Sequence, residues 1–166
     1  MSTAREQEMP IRKRLDISDP ALTFVTTEVY GWRPVFGIPE IVEAVLHQLV
    51  ETCEVFDVSV VGYVLMPHHF HGLLGLRKVE KMSAFMQSFK SLSARGVREM
   101  LPAAEFNRLL LNGKFRLWQP RFDDLIITSQ KQFKTKLDYI HMNPVRAGLV
   151  TNTTDWRYSS AADWLG

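Results

Sequence analysis

The stretch Val55–Leu76, "VFDVSVVGYVLMPHHFHGLLGL", most limits what this chain can fold into. It holds two strand-like runs, Val55–Pro67 and His68–Leu76, rich in β-branched and apolar residues. Only Pro67 marks the boundary between them. Strands joined by so short a turn lie antiparallel, because a parallel pair needs a crossover of roughly a dozen residues. Ala21–Val29 reads as a further strand, and a helix follows over Ile41–Cys53, with Pro39 in its first turn. Val79–Met100 predicts a helix with Met82, Phe85, Phe89 and Leu92 on one face. Leu101–Lys114 reads as a short helix or an insertion. Asp124–Thr128 is a short strand. Ser129 or Thr128 then caps a last helix that runs to about Met142, with Pro144 and Gly148 as its stop. Helices are too few for a doubly wound parallel sheet. The expected class is α+β, an antiparallel sheet with helices packed mainly on one face.

Composition sets the outer bounds. At 166 residues the chain is expected to form one domain over residues 21–166, preceded by a charged arm over 1–20 that carries Arg12, Lys13 and Arg14. A lone cysteine, Cys53, excludes an internal disulfide and a cysteine-based metal cluster. No apolar run reaches the roughly 18 residues of a membrane span, and the start lacks an apolar signal core, so a cytoplasmic setting is expected. Charge is unevenly spread. Residues 1–76 hold 5 Lys/Arg and 10 Asp/Glu, residues 77–157 hold 15 and 7, and the last nine residues add one acid. The net values of −5, +8 and −1 sum to the overall +2. A basic second half suggests a polyanion-facing side, although solvated helix faces give the same count.

Two constellations stand out. In a strand, residues two apart share a face. His69 and His71 therefore project together, while His68 and Phe70 point the other way. Two imidazoles so placed can share a divalent metal; alone, the pattern also fits two ordinary strand histidines. On the last helix, Phe133, Leu137 and Ile140 form a stripe for the core. Tyr139 and Asn143, four apart, share an adjacent face, with Lys136 between them around the barrel. A phenol, an amide oxygen and a cation would meet there. Equally, Tyr139 could be an amphipathic filler and Asn143 a helix stop.

Together, "MPHHFHGLL", "WQPRF" and "DYIHMNPVRAGLV" resemble the REP-associated tyrosine transposases, of the single-tyrosine branch of the HUH endonucleases. Pro67, His68, His69, Phe70 and His71 fit the first motif; Trp118, Gln119, Pro120, Arg121 and Phe122 the second; Tyr139, Asn143, Pro144 and Val145 the third. The resemblance spans roughly Leu22 to Ser160, and His68 departs from the Asn or Glu usual at its position. It implies a ferredoxin-like or RRM-like sheet and a bacterial, nucleoid-associated protein. It also implies metal-dependent cleavage and transfer of single-stranded DNA near hairpins. Tyr139 would be the nucleophile, forming a 5′-phosphotyrosine. His69, His71 and Asn143 would hold Mg²⁺ or Mn²⁺; Mn²⁺ suits imidazole better, and Mg²⁺ is the expected physiological ion. Arg121, Lys131, Lys134, Lys136 and Arg146, with Lys114 and Arg116, are candidate DNA contacts. Trp118 and Phe122 are candidates for stacking on bases, although Trp118 also fits a core position. The expected partner is single-stranded or hairpin DNA and not a membrane, bound by a monomer or a homodimer. Two other readings remain open. One is a nucleic-acid-binding module of the same fold without the chemistry. The other is an unrelated metal hydrolase, for which His47 and His141 are the only further histidines.

Overall fold

The computed structural model describes residues 20–166; the expected basic arm lies outside the described residues. The chain runs through strand β1 (Ala21–Glu28), helix α1 (Pro39–Phe56), strands β2 (Val58–Met66) and β3 (His69–Leu76), and helix α2 (Met82–Met100). A short helix α3 (Ala103–Arg108), a small hairpin of β4 (Leu110–Leu111) and β5 (Lys114–Phe115), and strand β6 (Asp123–Ile126) follow. Helix α4 (Gln130–Arg146) and the terminal α5 (Ala161–Leu165) complete the chain. The sheet order is β2-β3-β1-β6, with every pairing antiparallel. The expected α+β class is thus the observed one.

The sheet has two unequal sides. Phe70, Leu74 and Leu76 of β3 point into the larger core, with Ile41, Val45 and Leu49 of α1 and Phe85, Met86 and Phe89 of α2. On the other side, Phe24, Val64, Met66 and Leu73 pack against Leu137 and Ile140 of α4. Two long helices therefore cover one face, and α4 alone crosses the other. That crossing gives the histidine face of β3 a helix to meet.

Several boundaries differ from the sequence expectation. Val55 lies on the last turn of α1, which ends at Asp57 in a left-handed conformation (φ 52°). The stripe Ile41, Val45, Leu49, Cys53 carries the helix to Phe56, so β2 begins only at Val58. The buried face of α2 runs Met82, Phe85, Met86, Phe89, Ser93, Val97, and Leu92 falls beside it, partly exposed. Helix α4 does not stop at Met142: Pro144 lies inside it, and the helix continues to Arg146. Proline costs one intrahelical hydrogen bond, but its fixed φ is helical, so a last turn survives. Gly148, at φ 72°, turns the chain out of the helix. Leu101–Lys114 holds both a short helix and a tight hairpin. The hairpin turns at Asn112 and Gly113, both at positive φ, the Asn-Gly signature of such turns.

Helix α4 lies close to the sheet because Gly62 has no side chain. A β carbon there would sit 2.7 Å from Leu137 Cδ1. The strand bulges between Val60 and Gly62, and the Val61 carbonyl accepts from the Trp164 indole at 2.9 Å. A C-terminal tie adds to this. His141 Nε2 lies 3.0 Å from Ser160 Oγ, which also accepts from the Tyr63 backbone N–H at 2.9 Å. A Gly62→Val substitution should push α4 off the sheet and destabilise the fold by about 1–3 kcal/mol. Denaturant unfolding checks this, and an unchanged midpoint would show that the close approach carries no stability.

Candidate active site

Strand β3 sits between β1 and β2, which fixes its register: Thr26 lies opposite His71, and Glu28 opposite His69. Thr26 Oγ1 is 2.7 Å from His71 Nδ1. His68 Nδ1 is 3.0 Å from His69 Nδ1. In the tautomers where each Nδ1–H donates to these neighbours, both Nε2 lone pairs are open to a ligand. The two rings are 4.5 Å apart at 73°. His68 belongs to the turn between β2 and β3, with its ring 4.9 Å from the Trp32 indole. It stands beside the pair and orients His69.

Helix α4 brings the second set of groups. Its Ser129 cap accepts from the Gln132 N–H at 3.1 Å, and Leu137 and Ile140 seat it on the sheet. Tyr139 then projects toward the histidines, its ring edge-on to His71 at 5.3 Å. Because α4 continues through Pro144, Asn143 is a helical residue one turn beyond Tyr139, within hydrogen-bonding reach of His69. Lys136 Nζ lies 5.7 Å from the Tyr139 ring centroid, and the Arg146 guanidinium 5.4 Å. Lys136 also lies 4.7 Å from the Phe24 ring, which stacks on His71. His69, His71, Lys136, Tyr139 and Asn143 line one open cleft of about 300 Å³, and Tyr139 is 38% exposed at its wall.

Burial dominates the electrostatics of the pair. It pushes His69 down to about 4, with the adjacent His68 adding to the shift and the Asn143 hydrogen bond opposing it. It pushes His71 down to about 3, helped by His69 and by the Lys136 charge. Both imidazoles are therefore neutral at physiological pH, the form that binds metal. Among the described residues no three His, Cys, Asp or Glu side chains gather as a metal site. The donor set is two imidazoles and one amide oxygen. It suits a divalent ion that keeps positions open for phosphate oxygens.

Other expected contacts fall in varied places. Trp118 is a correction: it is 5% exposed, packs on Phe36 and Phe89, and donates to Ser93 Oγ at 2.9 Å. No face of its ring is open to a base. Phe122 is half-buried against the larger core and lines a small pocket with Arg121. Lys134 pairs with Asp138 at 2.9 Å on the exposed side of α4, and Lys131 is exposed in its first turn. Lys114 and Arg116 belong to the β4–β5 region, outside the cleft lining. His47 pairs with Glu51, and His141 is buried against Ser160, so neither joins the His69–His71 pair.

Four cleft residues escaped the sequence expectation: Phe24, Thr26, Glu28 and Trp32. Phe24, Thr26 and Glu28 have no motif; only the strand register brings them to the histidine face. Trp32 had a readable signal, an aromatic next to glycine and proline in "GWRPVFGIPE". It is 57% exposed at the cleft mouth with φ 56°. A bulky residue at positive φ is strained, and such strain gathers at functional sites.

Similarity to known proteins follows the same span. A candidate REP-associated tyrosine transposase of Haemophilus influenzae is 32% identical over 114 residues, 66% of this chain and 62% of that protein. The REP-associated tyrosine transposase of Escherichia coli is 40% identical over 48 residues, 29% of each chain. The chain thus spans less than two thirds of the length of either relative. In fold it is similar to a REP-associated tyrosine transposase solved with a REP hairpin. The TM-score is 0.72 at 20% identity, over 90% of this chain and 82% of that one. A candidate transposase of Deinococcus radiodurans aligns with a TM-score of 0.56 at 19% identity, over 76% and 92%. The family profile described as transposase IS200-like matches residues 33–143, a span that includes His69, His71, Tyr139 and Asn143. The match covers more than half of the chain, which therefore belongs to the IS200-like transposase family.

Proposed function

We propose that this protein cleaves and rejoins single-stranded DNA beside a hairpin, with Tyr139 as nucleophile. One observation carries the reading: an exposed phenol, two neutral imidazoles, an amide and the Lys136 cation line a single cleft, with the Arg146 guanidinium beside the phenol ring. The REP hairpin in the structural relative supports hairpin DNA as the substrate class.

The residues divide the work. Lys136 and Arg146 flank the Tyr139 ring and would hold a phosphodiester against it. The phenol oxygen attacks phosphorus, a P–O(Tyr) bond forms, and the P–O3′ bond breaks. The 3′ oxygen leaves as a hydroxyl, and the phenol proton has a path to water because Tyr139 is partly exposed. Rejoining is the reverse: a 3′ hydroxyl attacks the phosphotyrosine and restores the phenol, with no nucleotide cofactor. A divalent ion held by His69, His71 and Asn143 would polarise the phosphate and stabilise the leaving oxygen. Thr26 and His68 keep the imidazoles in the tautomers that permit this. Trp32, exposed at the mouth, offers a face for a neighbouring base.

Labelled hairpin DNA with a single-stranded flank, incubated with Mn²⁺, should give a protein–DNA adduct that survives denaturation and is lost in Tyr139→Phe. An adduct that persists in that variant would exclude Tyr139 as nucleophile. Binding without any adduct would favour the module without chemistry. In the same assay series, Trp32→Ala should weaken single-strand binding by about 1–3 kcal/mol, the worth of one stacked base. Equal affinity would remove Trp32 from the interface.

The metal assignment makes a pH prediction. Lowered imidazole pKa values mean that protons compete with metal only near pH 4 and below, whereas ordinary histidines begin to protonate near ~6.5. Calorimetric Mn²⁺ affinity should therefore stay level from about pH 7.5 to about pH 5.5, and it should collapse in His71→Ala. Loss of affinity across that interval, or equal binding by the variant, would count against the site.

A further inference from the structure

We propose that Glu28 acts on the 3′ oxygen of the scissile bond: its carboxyl gives that oxygen a proton when the strand is cut and takes the proton back when the strand is rejoined. The inference rests on the DNA-cleaving function proposed above and deepens it.

The floor of the cleft has a fixed order along the sheet. Strand alternation puts Phe24, Thr26 and Glu28 on the face of β1 that meets α4, opposite Leu73, His71 and His69 of β3. Strand β6 hands the chain to α4 at the other end of β1, where the Ile127 N–H donates to the Leu22 carbonyl at 2.8 Å. From there α4 runs back over the sheet. It passes Phe24 first, with Lys136 over that ring at 4.7 Å and the Tyr139 ring edge-on to it at 6.1 Å. The Tyr139 ring also meets His71, at 5.3 Å, and Asn143 then reaches His69. Glu28 closes the row. At about 3.3 Å per residue it stands roughly 13 Å along the strand from Phe24. Phenol, imidazoles with amide, and carboxylate thus follow one another through a single cleft.

That order matches a displacement at phosphorus, in which the attacking and leaving oxygens lie in line on opposite sides of the phosphorus atom. With the phenol at the Phe24 end and the phosphate over the imidazoles, the 3′ oxygen leaves toward Glu28. A sugar alkoxide is a far stronger base than a phenolate, so an unprotonated 3′ oxygen would expel the tyrosine again. Among the described residues Glu28 is the one carboxylate that lines the cleft, and no salt bridge takes it up. Its backbone is held on both sides, by β3 and by the Gln119 N–H, which donates to the Glu28 carbonyl at 2.8 Å. The side chain is half-buried, so a proton can reach it from solvent. The other polar groups are committed elsewhere. Lys136 and Arg146 stand beside the phenol, and the imidazole Nδ1 atoms are engaged by Thr26 and His68.

In cleavage the Tyr139 oxygen bonds phosphorus and the phenol proton passes to water. The P–O3′ bond breaks, and its electron pair goes to the 3′ oxygen. The Glu28 carboxyl protonates that oxygen and becomes a carboxylate. In rejoining, the carboxylate takes the proton of the 3′ hydroxyl, the 3′ oxygen bonds phosphorus, and the P–O(Tyr) bond breaks. The phenolate regains its proton from water.

The test uses the full chain, Mn²⁺ and hairpin DNA with a single-stranded flank, carrying either oxygen or sulfur between the 3′ carbon and phosphorus at the position cut. A thiolate leaves without a proton. Single-turnover adduct formation on denaturing gels reads the rate. Glu28→Gln should slow the oxygen substrate by about 10²- to 10⁴-fold, the usual worth of a general acid, and leave the sulfur substrate at the wild-type rate. Glu28→Asp, which keeps a shorter carboxyl, should slow the oxygen substrate by an intermediate factor. An oxygen substrate cut at the wild-type rate by Glu28→Gln would overturn the proposal. So would equal slowing of both substrates in a variant that keeps the wild-type thermal midpoint; Glu28→Asp, the milder change, decides where Glu28→Gln does not fold. The two readings fail separately. An adduct whose rate ignores Glu28 removes this role alone, whereas no adduct from the wild type on either substrate removes the Tyr139 chemistry.

Discussion

The register of β3 between β1 and β2 is the constraint on which the rest of the site depends. A strand side chain has only two directions, so a slip of one residue would turn His69 and His71 into the large core and Phe70 toward α4. Burying Phe70 and Leu74 under α1 and α2 holds the strand in phase. The same pairing brings Thr26 to His71 and Glu28 to His69 without any further device. The apolar core on one side of the sheet thereby dictates the chemistry on the other.

This coupling explains what was legible in the sequence. The phase of His69 and His71 could be read from "HHFH", because a strand between two others admits one alternation. The stripe Phe133, Leu137, Ile140 likewise located the core side of α4, and so the free side that carries Tyr139. The end of α4 could not be read. Pro144 is a stop signal in most local contexts, yet here it is buried and the helix continues to Arg146 around it. Trp118 was ambiguous for a related reason. Only the structure shows that Ser93 of α2 is placed to accept its indole N–H. Thr26 and Glu28 depend on cross-strand neighbours, His71 and His69, more than 40 residues away in sequence. No local pattern records such pairings.

The charges in the cleft follow a consistent division. The histidines are neutral because they are buried, and Lys136 helps to keep His71 so. The cations stand nearer the solvent, over aromatic rings, and among the described residues no carboxylate forms an ion pair with them. A cation above a ring keeps its charge uncompensated by an anion, so it remains available to a phosphate. Lys134, by contrast, faces away from the cleft and is taken up by Asp138. The sequence-level excess of positive charge in the second half therefore overstates the contact surface. What distinguishes Lys136 and Arg146 from the other cations is their position around α4.

Tyr139 is at once exposed and fixed, which is a demanding combination for a side chain proposed to reach a phosphorus atom in line. Exposure follows from the helix face it occupies. Its fixity comes from the opposite face, where Gly62 lets Leu137 settle onto the sheet and His141 meets Ser160 of the C-terminal segment. That segment is itself bonded to the edge of β2, through the Leu65 N–H to the Tyr158 carbonyl and the Trp156 indole to the Leu65 carbonyl. The last stretch of chain thus serves as a clamp on α4 rather than as part of the cleft. A site held this way needs few residues of its own to be rigid, because each is placed by an element that is immobilised elsewhere. It also follows that substitutions far from the cleft, on the buried side of α4, should move the phenol as surely as changes beside it.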